Sequence, residues 1–138
     1  MINVIVGKKG SGKTKKLIER ANEAVSHSNG NVVVIAKGNK LTYDVSHDIR
    51  LVDIDAYGIQ GVEALDGFLC GICAGNYDVT DIFVDSTLKI IGQDLNILVP
   101  FVEKLNALSA LAETKITLLI SADEAELPET LREISVAI

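Results

Sequence analysis

Short apolar segments alternate with longer amphipathic segments along the chain. The apolar segments are rich in valine, isoleucine and leucine, and each has the length of a β-strand. Five segments are predicted as strands, at residues 2–6, 32–36, 49–54, 81–85 and 115–121. Because they are mostly apolar, we expect these strands to be buried on both faces of a sheet.

The segments between these strands predict helices. Apolar residues within 17–25 recur at helical spacing and form one face of a first helix. A second helix is expected from about residue 58 to 75, and a third near Pro100, because proline suits a first helical turn. A short terminal helix is expected over residues 129–134, and the polar segment 37–48 is predicted as an exposed loop.

Strands that alternate with helices favour right-handed crossover connections and a mainly parallel sheet. The expected fold class is therefore α/β, with a three-layer α/β/α architecture around a mainly parallel five-stranded sheet. A chain of 138 residues has the size of one ordinary domain, so we expect a single domain over residues 1–138.

Charge and hydropathy limit the expected partners and compartment. The net charge is −6, from 19 acidic and 13 basic residues, so a broad nucleic-acid-binding surface is not expected. No uninterrupted apolar run approaches the ~20 residues that a membrane-spanning helix needs. The first residues enter a strand pattern at once and do not resemble a secretory signal. We therefore expect a soluble cytoplasmic protein without a membrane partner.

Cys70 and Cys73 form a C-x-x-C pair within the second predicted helix. That spacing can serve a redox pair or half of a zinc site. The chain has no second cysteine pair, however, and its histidines are His27 and His47. The predicted helix is apolar, and free cysteine is among the most buried residue types. We expect both cysteines to be buried and inert.

A glycine-rich loop, GKKGSGKT at residues 7–14, lies between the first predicted strand and the first predicted helix. It matches the pattern G-x-x-x-x-G-K-[ST] at Gly7, Gly12, Lys13 and Thr14. The glycines let successive N–H groups converge, and the helix dipole adds a positive end, so the loop favours phosphate. Lys13 should reach β- and γ-phosphate oxygens, and the Thr14 hydroxyl should join a Mg²⁺ shell. The residues expected to bind a nucleoside triphosphate are Gly7, Lys8, Lys9, Gly10, Ser11, Gly12, Lys13, Thr14 and Lys15.

A phosphate-bound Mg²⁺ needs a second anchor, and Asp85 is the candidate. Ligands of open parallel sheets gather at the carboxyl ends of the strands. The fourth predicted strand, DIFVD at residues 81–85, ends in Asp85 after three apolar residues. We therefore expect Asp85 to be the carboxylate on the metal side of the phosphates. The alternative is that Asp85 caps the helix that follows it.

The pair GKKGSGKT and DIFVD resembles the Walker A and Walker B motifs of P-loop NTPases. Over most of its length the chain is also similar to the nucleotide-binding core of thymidine kinases, in the recombinase-like branch. The similarity includes VVVIAKG at residues 32–38 and KITLLISAD at residues 115–123. This resemblance implies a P-loop NTPase fold with ATP and Mg²⁺ as cofactors. SADE at residues 121–124 does not match the N-K-x-D motif of small GTPases, which favours ATP over GTP.

The chain departs from thymidine kinases in several features. Those enzymes carry a catalytic glutamate after the Walker B aspartate, where this chain has Ser86, and serine is not a strong base. They also carry a four-cysteine zinc lobe and a substrate-binding lasso, which this sequence lacks. Thymidine kinase activity is therefore not expected.

Candidate catalytic residues follow from the same resemblance. In recombinase-type sheets the carboxylate that polarises water can come from an adjacent strand, which implies Asp53 or Asp55 at the end of the third strand. The alternative is that both are solvated turn residues. Ser121, at the end of the fifth strand, is the polar group implied to touch the γ-phosphate. The predicted catalytic residues are therefore Lys13, Asp85, Asp53 and Ser121.

Three functions remain open from the sequence. We favour a slow Mg²⁺-dependent ATPase that acts with a protein partner or as an oligomer, with an arginine supplied by the other subunit. The second is a small-molecule or nucleoside kinase in which Tyr43, Asp44 and His47 of the loop bind the acceptor. The third is a nucleotide-dependent interaction module that does not hydrolyse its ligand.

Overall fold

The computed structural model describes residues 1–38, 41 and 44–138. Within that part of the chain six strands form one sheet, and every neighbouring pair is parallel. The strands are β1 (Ile2–Gly7), β2 (Asn31–Ala36), β3 (Ile49–Asp53), β4 (Val79–Val84), β5 (Lys115–Ser121) and β6 (Ser135–Ala137). Their order across the sheet is β3-β2-β4-β5-β1-β6. The predicted α/β class with a mainly parallel sheet is confirmed.

Five α-helices occur in the described residues. They are α1 (Lys13–His27), α2 (Val62–Gly75), α3 (Thr87–Ile91), α4 (Leu98–Ala112) and α5 (Glu129–Arg132). Pro100 lies in the first turn of α4, as the sequence predicts. α2 begins later than expected. Gly58 and Gly61 adopt positive φ angles of 65° and 96°, which are not helical, so the helix begins only after them.

The sixth strand corrects the predicted count of five. β6 lies beside β1, where the Val4 N–H donates to the Ile134 carbonyl at 3.0 Å and the Ile138 N–H donates to the Val6 carbonyl at 2.9 Å. β6 has three residues, which are half-buried or exposed, and a segment this short is hard to recognise as a strand from sequence. The terminal helix ends at Arg132, earlier than predicted, and the residues after it are free to pair.

Helices cover both faces of the sheet, because alternate strand residues point to opposite sides. On one face Leu17 and Ala21 of α1 pack with strand residues such as Ile5 and Val34. On the other face α2, α3, α4 and α5 all contribute buried side chains, which pack with residues such as Val4. The expectation of strands buried on both faces is confirmed for β1, β2, β4 and β5.

The register brings three strand ends together at one edge of the sheet. Gly7, the last residue of β1, is paired with Ser121, the last residue of β5. β5 also pairs with β4, and Asp85 directly follows β4. Because the carboxyl ends of parallel strands share an edge, the glycine-rich loop, Ser121 and Asp85 meet there.

Among the described residues, one helical stretch, Leu95–Ala112, is long and apolar enough to cross a membrane by length and composition alone. Leu98, Phe101 and Leu105 of this stretch are buried in the core of the protein. Core helices of soluble proteins have the same composition, so this stretch is compatible with a soluble protein.

Candidate functional site

The glycine-rich loop (residues 7–14) connects β1 to α1 by a tight backbone turn. The Ser11 N–H donates to the Lys8 carbonyl at 3.0 Å. Gly10 and Gly12 have φ angles of 83° and 93°, in the left-handed region that favours glycine. Gly12 is the residue before α1, and glycine has no side chain to cap the helix. The first N–H groups of α1 are therefore left for another acceptor, such as an anion.

The start of the loop has no space for a side chain at Gly7. A Cβ at this position would lie 2.5 Å from Ser11 Oγ and 3.1 Å from the Ile138 carbonyl oxygen. The Ser11 hydroxyl is itself buried and has no hydrogen-bond partner in the part of the chain described. Close packing around the first residue of the motif therefore favours glycine.

The Lys13 side chain is folded back along the loop. Lys13 is 8% exposed, and its Nζ donates to the Lys8 carbonyl at 3.0 Å. Burial lowers the pKa of Lys13, and the nearby negative charge of Asp85 raises it in part. A buried ammonium group is stabilised by a neighbouring anion, so this position favours a negatively charged ligand.

Thr14 and Asp85 are in direct contact. The Thr14 hydroxyl donates to Asp85 Oδ1 at 3.3 Å, and the Ser86 hydroxyl donates to Oδ2 at 3.2 Å. Asp85 is held at the end of β4 because its N–H donates to the Ile35 carbonyl at 2.8 Å. The alternative role as a helix cap does not apply, since Ser86 is the residue that precedes α3.

The residues at this contact fit a magnesium ion that is shared with phosphate. In the described residues no group of three or more His, Cys, Asp or Glu side chains could hold a metal ion. Thr14 and Asp85 offer one hydroxyl and one carboxylate, and Mg²⁺ is usually bound by one or two protein oxygens together with phosphate and water.

A cleft of about 320 Å³ lies beside the glycine-rich loop, and we call it the loop cleft. Its walls are the loop with the start of α1, the ends of β4 and β5, and α3 with the residues after it. The lining residues are Lys9, Gly10, Lys13, Thr14, Asp85, Ser86, Thr87, Leu88, Lys89, Gln93, Leu119 and Ser121. Two larger clefts, of about 530 and 580 Å³, contain no residue of the loop. The loop cleft is smaller but holds the phosphate-binding chemistry.

The loop cleft brings together three of the four predicted catalytic residues, which are Lys13, Asp85 and Ser121. The sequence reasoning missed Lys89 and Gln93, which belong to α3 and the turn after it. The segment around α3 has no clear periodicity, because a helix of five residues is too short to show one. The sequence signal that could have indicated this wall of the cleft is the apolar segment that follows Asp85.

Part of the loop lies away from this cleft. Gly7, Lys8 and Ser11 line a cavity of about 300 Å³ on the β6 side. Lys8 forms an ion pair with Asp123 at 3.4 Å. A hydrogen bond from the Ala125 N–H, and then Lys8, lower the pKa of Asp123. Lys15 is exposed on α1 and, like Gly12, is not part of the lining of the loop cleft.

Asp53 and Asp55 lie outside the loop cleft. The Asp53 carboxylate accepts from the Gly38 N–H at 2.9 Å and from the Asp55 N–H at 3.0 Å, and so caps a 3₁₀ turn. Asp55 forms an ion pair of 2.6 Å with Lys37. β2 lies between β3 and β4 in the sheet. The axis of β3, which carries Asp53, is therefore two strand spacings, about 10 Å, from the axis of β4. A catalytic role for Asp53 therefore stays a prediction.

Two of the three loop residues predicted to bind a kinase acceptor are described, and neither lines the loop cleft. Asp44 and His47 are exposed and do not line it. Tyr43 lies outside the described residues.

The two cysteines differ in exposure. Cys73 is buried, as predicted, but Cys70 is exposed, so the prediction of two buried cysteines is wrong. Cys70 lies on the exposed side of α2, whereas Cys73 is one of the buried residues of that helix. Burial raises the pKa of both thiols, and Asp66 raises that of Cys70 further. A raised pKa favours the thiol over the nucleophilic thiolate.

No protein-family model matches the chain, and no curated protein matches it. What the loop cleft binds is therefore inferred from its own residues. Unoccupied helix N–H groups, the buried Lys13 ammonium and the Thr14–Asp85 oxygens can together hold a chain of phosphates and a divalent cation.

Proposed function

We propose that the protein is a P-loop NTPase that binds Mg²⁺-ATP in the loop cleft and hydrolyses it slowly, in the cytoplasm, with a protein partner or a second subunit. The proposal includes the three-layer P-loop fold and the relationship to the recombinase-like branch. The observation that carries it is the 3.3 Å contact between Thr14 and Asp85 beside the buried Lys13. Helices on both faces of an all-parallel sheet support the fold.

Phosphate binding would depend on the glycine-rich loop. The N–H groups at the start of α1 would donate to phosphate oxygens. The Lys13 ammonium would give up its hydrogen bond to the Lys8 carbonyl and donate to a charged phosphate oxygen instead. Hydrogen bonds between charged partners are roughly twice as strong as neutral ones, so this exchange favours the bound state. Lys9 adds a second positive charge at the same wall of the cleft.

Thr14 and Asp85 would hold the magnesium ion. When bound, Mg²⁺ neutralises phosphate charge and polarises the phosphoryl oxygens. The Thr14 hydroxyl is already oriented by Asp85, and Asp85 is oriented by Ser86 and by the backbone of β2.

The hydrolysis reaction transfers the γ-phosphoryl group to water. The water oxygen forms a bond to the γ-phosphorus, the bond to the bridging oxygen breaks, and its electron pair remains on ADP. One water proton stays on the released phosphate, and the other leaves to solvent. Among the residues that the structure describes, Asp85 is the one carboxylate that lines the cleft, and two hydroxyls already occupy it. Without a free base we expect turnover below the ~1–10³ s⁻¹ of typical enzymes.

Isothermal titration with ATP and Mg²⁺ tests the proposal. The parent protein should bind ATP, and Lys13→Ala should weaken binding by about tenfold or more, because a charge-assisted contact is lost. Lys104→Ala is the matched control, since Lys104 is exposed on α4, away from the cleft. Equal ATP affinity in the parent and Lys13→Ala would show that the loop is not a phosphate site.

A further inference from the structure

The loop cleft has a second wall that the phosphate-binding motif does not include. This wall is α3 with the turn after it, and it contributes Lys89 and Gln93 to the lining. The loop and the start of α1 contribute Lys9 and Lys13 to the same lining. A ligand in the cleft would therefore have lysines from two separate elements beside it.

α3 is short, but the core of the protein holds it firmly. Leu88 and Ile90 are buried, and Thr87 is fully buried with its hydroxyl donating to the Val84 carbonyl at 3.3 Å. The Lys89 N–H donates to the Ser86 carbonyl at 3.0 Å, and the Lys89 carbonyl accepts from Gln60 Nε2 at 3.4 Å. The Lys89 backbone thus has a fixed place four residues after Asp85.

Lys89 has a charge that is available to a ligand. Its side chain is exposed at the mouth of the cleft. The ion pairs found within the described ranges join Lys8 to Asp123 and Lys37 to Asp55, and neither includes Lys89. None of the three arginines of the chain lines the cleft. They are Arg20, Arg50 and Arg132. Of the basic residues in the cleft, Lys89 is the one that lies outside the glycine-rich loop.

We propose that Lys89 binds the terminal phosphate of the nucleoside triphosphate and supplies, within this chain, the cation that would otherwise come from another subunit. This inference rests on the proposed function. The Lys89 ammonium donates a hydrogen bond to a γ-phosphate oxygen, and no proton is transferred. A triphosphate reaches across the cleft from the loop to α3, whereas a diphosphate bound through the same loop lacks the group that Lys89 contacts. Lys89 therefore makes the site prefer ATP over ADP.

Isothermal titration with ATP and with ADP, both with Mg²⁺, tests this role. In Lys89→Ala we expect ATP to bind about tenfold more weakly, while ADP affinity changes by less than about twofold, because the lost contact is a charge-assisted hydrogen bond to the third phosphate. Lys89→Arg keeps the charge and should restore most of the preference for ATP. Lys104→Ala, an exposed lysine on α4, should leave both affinities unchanged.

The outcomes separate this inference from the proposed function. Loss of ATP binding in Lys13→Ala, together with an unchanged ratio of ATP to ADP affinity in Lys89→Ala, would overturn the role of Lys89 and leave the phosphate site intact. Equal weakening of ATP and ADP in Lys89→Ala would also overturn it, since a general charge effect would explain the result. A parent protein that binds neither nucleotide would overturn both. Circular dichroism of each variant checks that it is folded.

Discussion

The Thr14 hydroxyl donates a hydrogen bond of 3.3 Å to Asp85 Oδ1, and so joins residues 71 positions apart in the sequence. Thr14 lies in the first turn of α1, and Asp85 directly follows β4. The contact exists because β5 lies between β1 and β4, which places their carboxyl ends within one strand of each other. It also fixes the orientation of the two oxygens that we propose as ligands of Mg²⁺.

Substitutions at this contact should reduce the effect of magnesium on ATP binding. In Thr14→Ala and in Asp85→Asn, the gain in ATP affinity on adding Mg²⁺ should fall by about tenfold or more, because a ligand of the ion is lost or weakened. Titration with Mg²⁺ and with EDTA measures this gain. Thr14→Ser keeps the hydroxyl and should behave like the parent, and Asp78→Asn is a control at an exposed aspartate. Equal losses with and without EDTA would indicate a structural role instead.

Gly7→Ala should destabilise the protein and weaken nucleotide binding. The new Cβ would lie 2.5 Å from Ser11 Oγ and 3.1 Å from the Ile138 carbonyl oxygen, so the Ser11 side chain must move and the contact with Ile138 becomes tight. We expect the free energy of unfolding to fall by about 1–3 kcal/mol, as measured by urea denaturation. Adding Ser11→Ala removes the closest atom and should recover part of the loss.

Gly71→Ala is the matched control for this experiment. A Cβ at Gly71 would have no atom within 4 Å, and the residue lies in the exposed part of α2. Alanine should therefore stabilise the helix by about 0.5–1 kcal/mol. If Gly7→Ala had the same effect on the free energy of unfolding as Gly71→Ala, the start of the loop would not be closely packed around Gly7.

ATP affinity should decrease as the pH rises toward the usual range of lysine. Burial lowers the pKa of Lys13 below the usual pKa of a lysine in the free protein. Below that lowered pKa, Lys13 is charged in both the free and bound states, so affinity is constant. Above it, binding must take up a proton, and affinity falls. Titrations from about pH 7 to about pH 10 should show this fall in the parent.

Lys13→Arg should remove this pH dependence, because arginine remains charged over the same range. An identical fall in the parent and in Lys13→Arg would assign the titration to a different group.

Substitutions at Asp53 can separate a structural role from a catalytic one. Asp53→Ala should lower the free energy of unfolding by about 1 kcal/mol, because it removes the acceptor for two backbone N–H groups. Asp53→Asn retains a carbonyl oxygen at the same place and should be close to the parent in stability. Phosphate release by Asp53→Asn then tests the catalytic role predicted from the sequence. Reduced turnover with unchanged stability and ATP affinity would support that role, and unchanged turnover would exclude it.

The sequence was sufficient to predict those parts of the fold that have strong periodic or motif signals. The central strands are continuous apolar runs, and the loop GKKGSGKT has a fixed spacing, so Lys13, Thr14 and Asp85 could be placed at one sheet edge. β6 was not predicted, since three residues are too few to show a strand pattern, and the segment forms a strand by pairing with β1. Tertiary contact, rather than local preference, determines such a segment.

The order of strands across the sheet could not be predicted from the sequence, and this also limited the prediction of the site. Asp53 ends the third strand in the sequence, but β2 lies between that strand and β4, and crossover connections allow several such orders. Lys89 was missed for a related reason, because its place in the cleft depends on how the five residues of α3 pack after Asp85. The exposure of Cys70 likewise depends on which side of α2 contacts the sheet.

The position of β1 between β5 and β6 has a consequence for synthesis on the ribosome. β1 is made before the other described strands, and both of its neighbours come from residues after 114, so its backbone donors and acceptors lack these strand partners until β5 and β6 have been made. An unpaired apolar strand can associate with other chains. Contact between nascent β1 and a chaperone would protect it, and the glycine-rich loop would reach its final shape late in folding, after the C-terminal strands have joined the sheet.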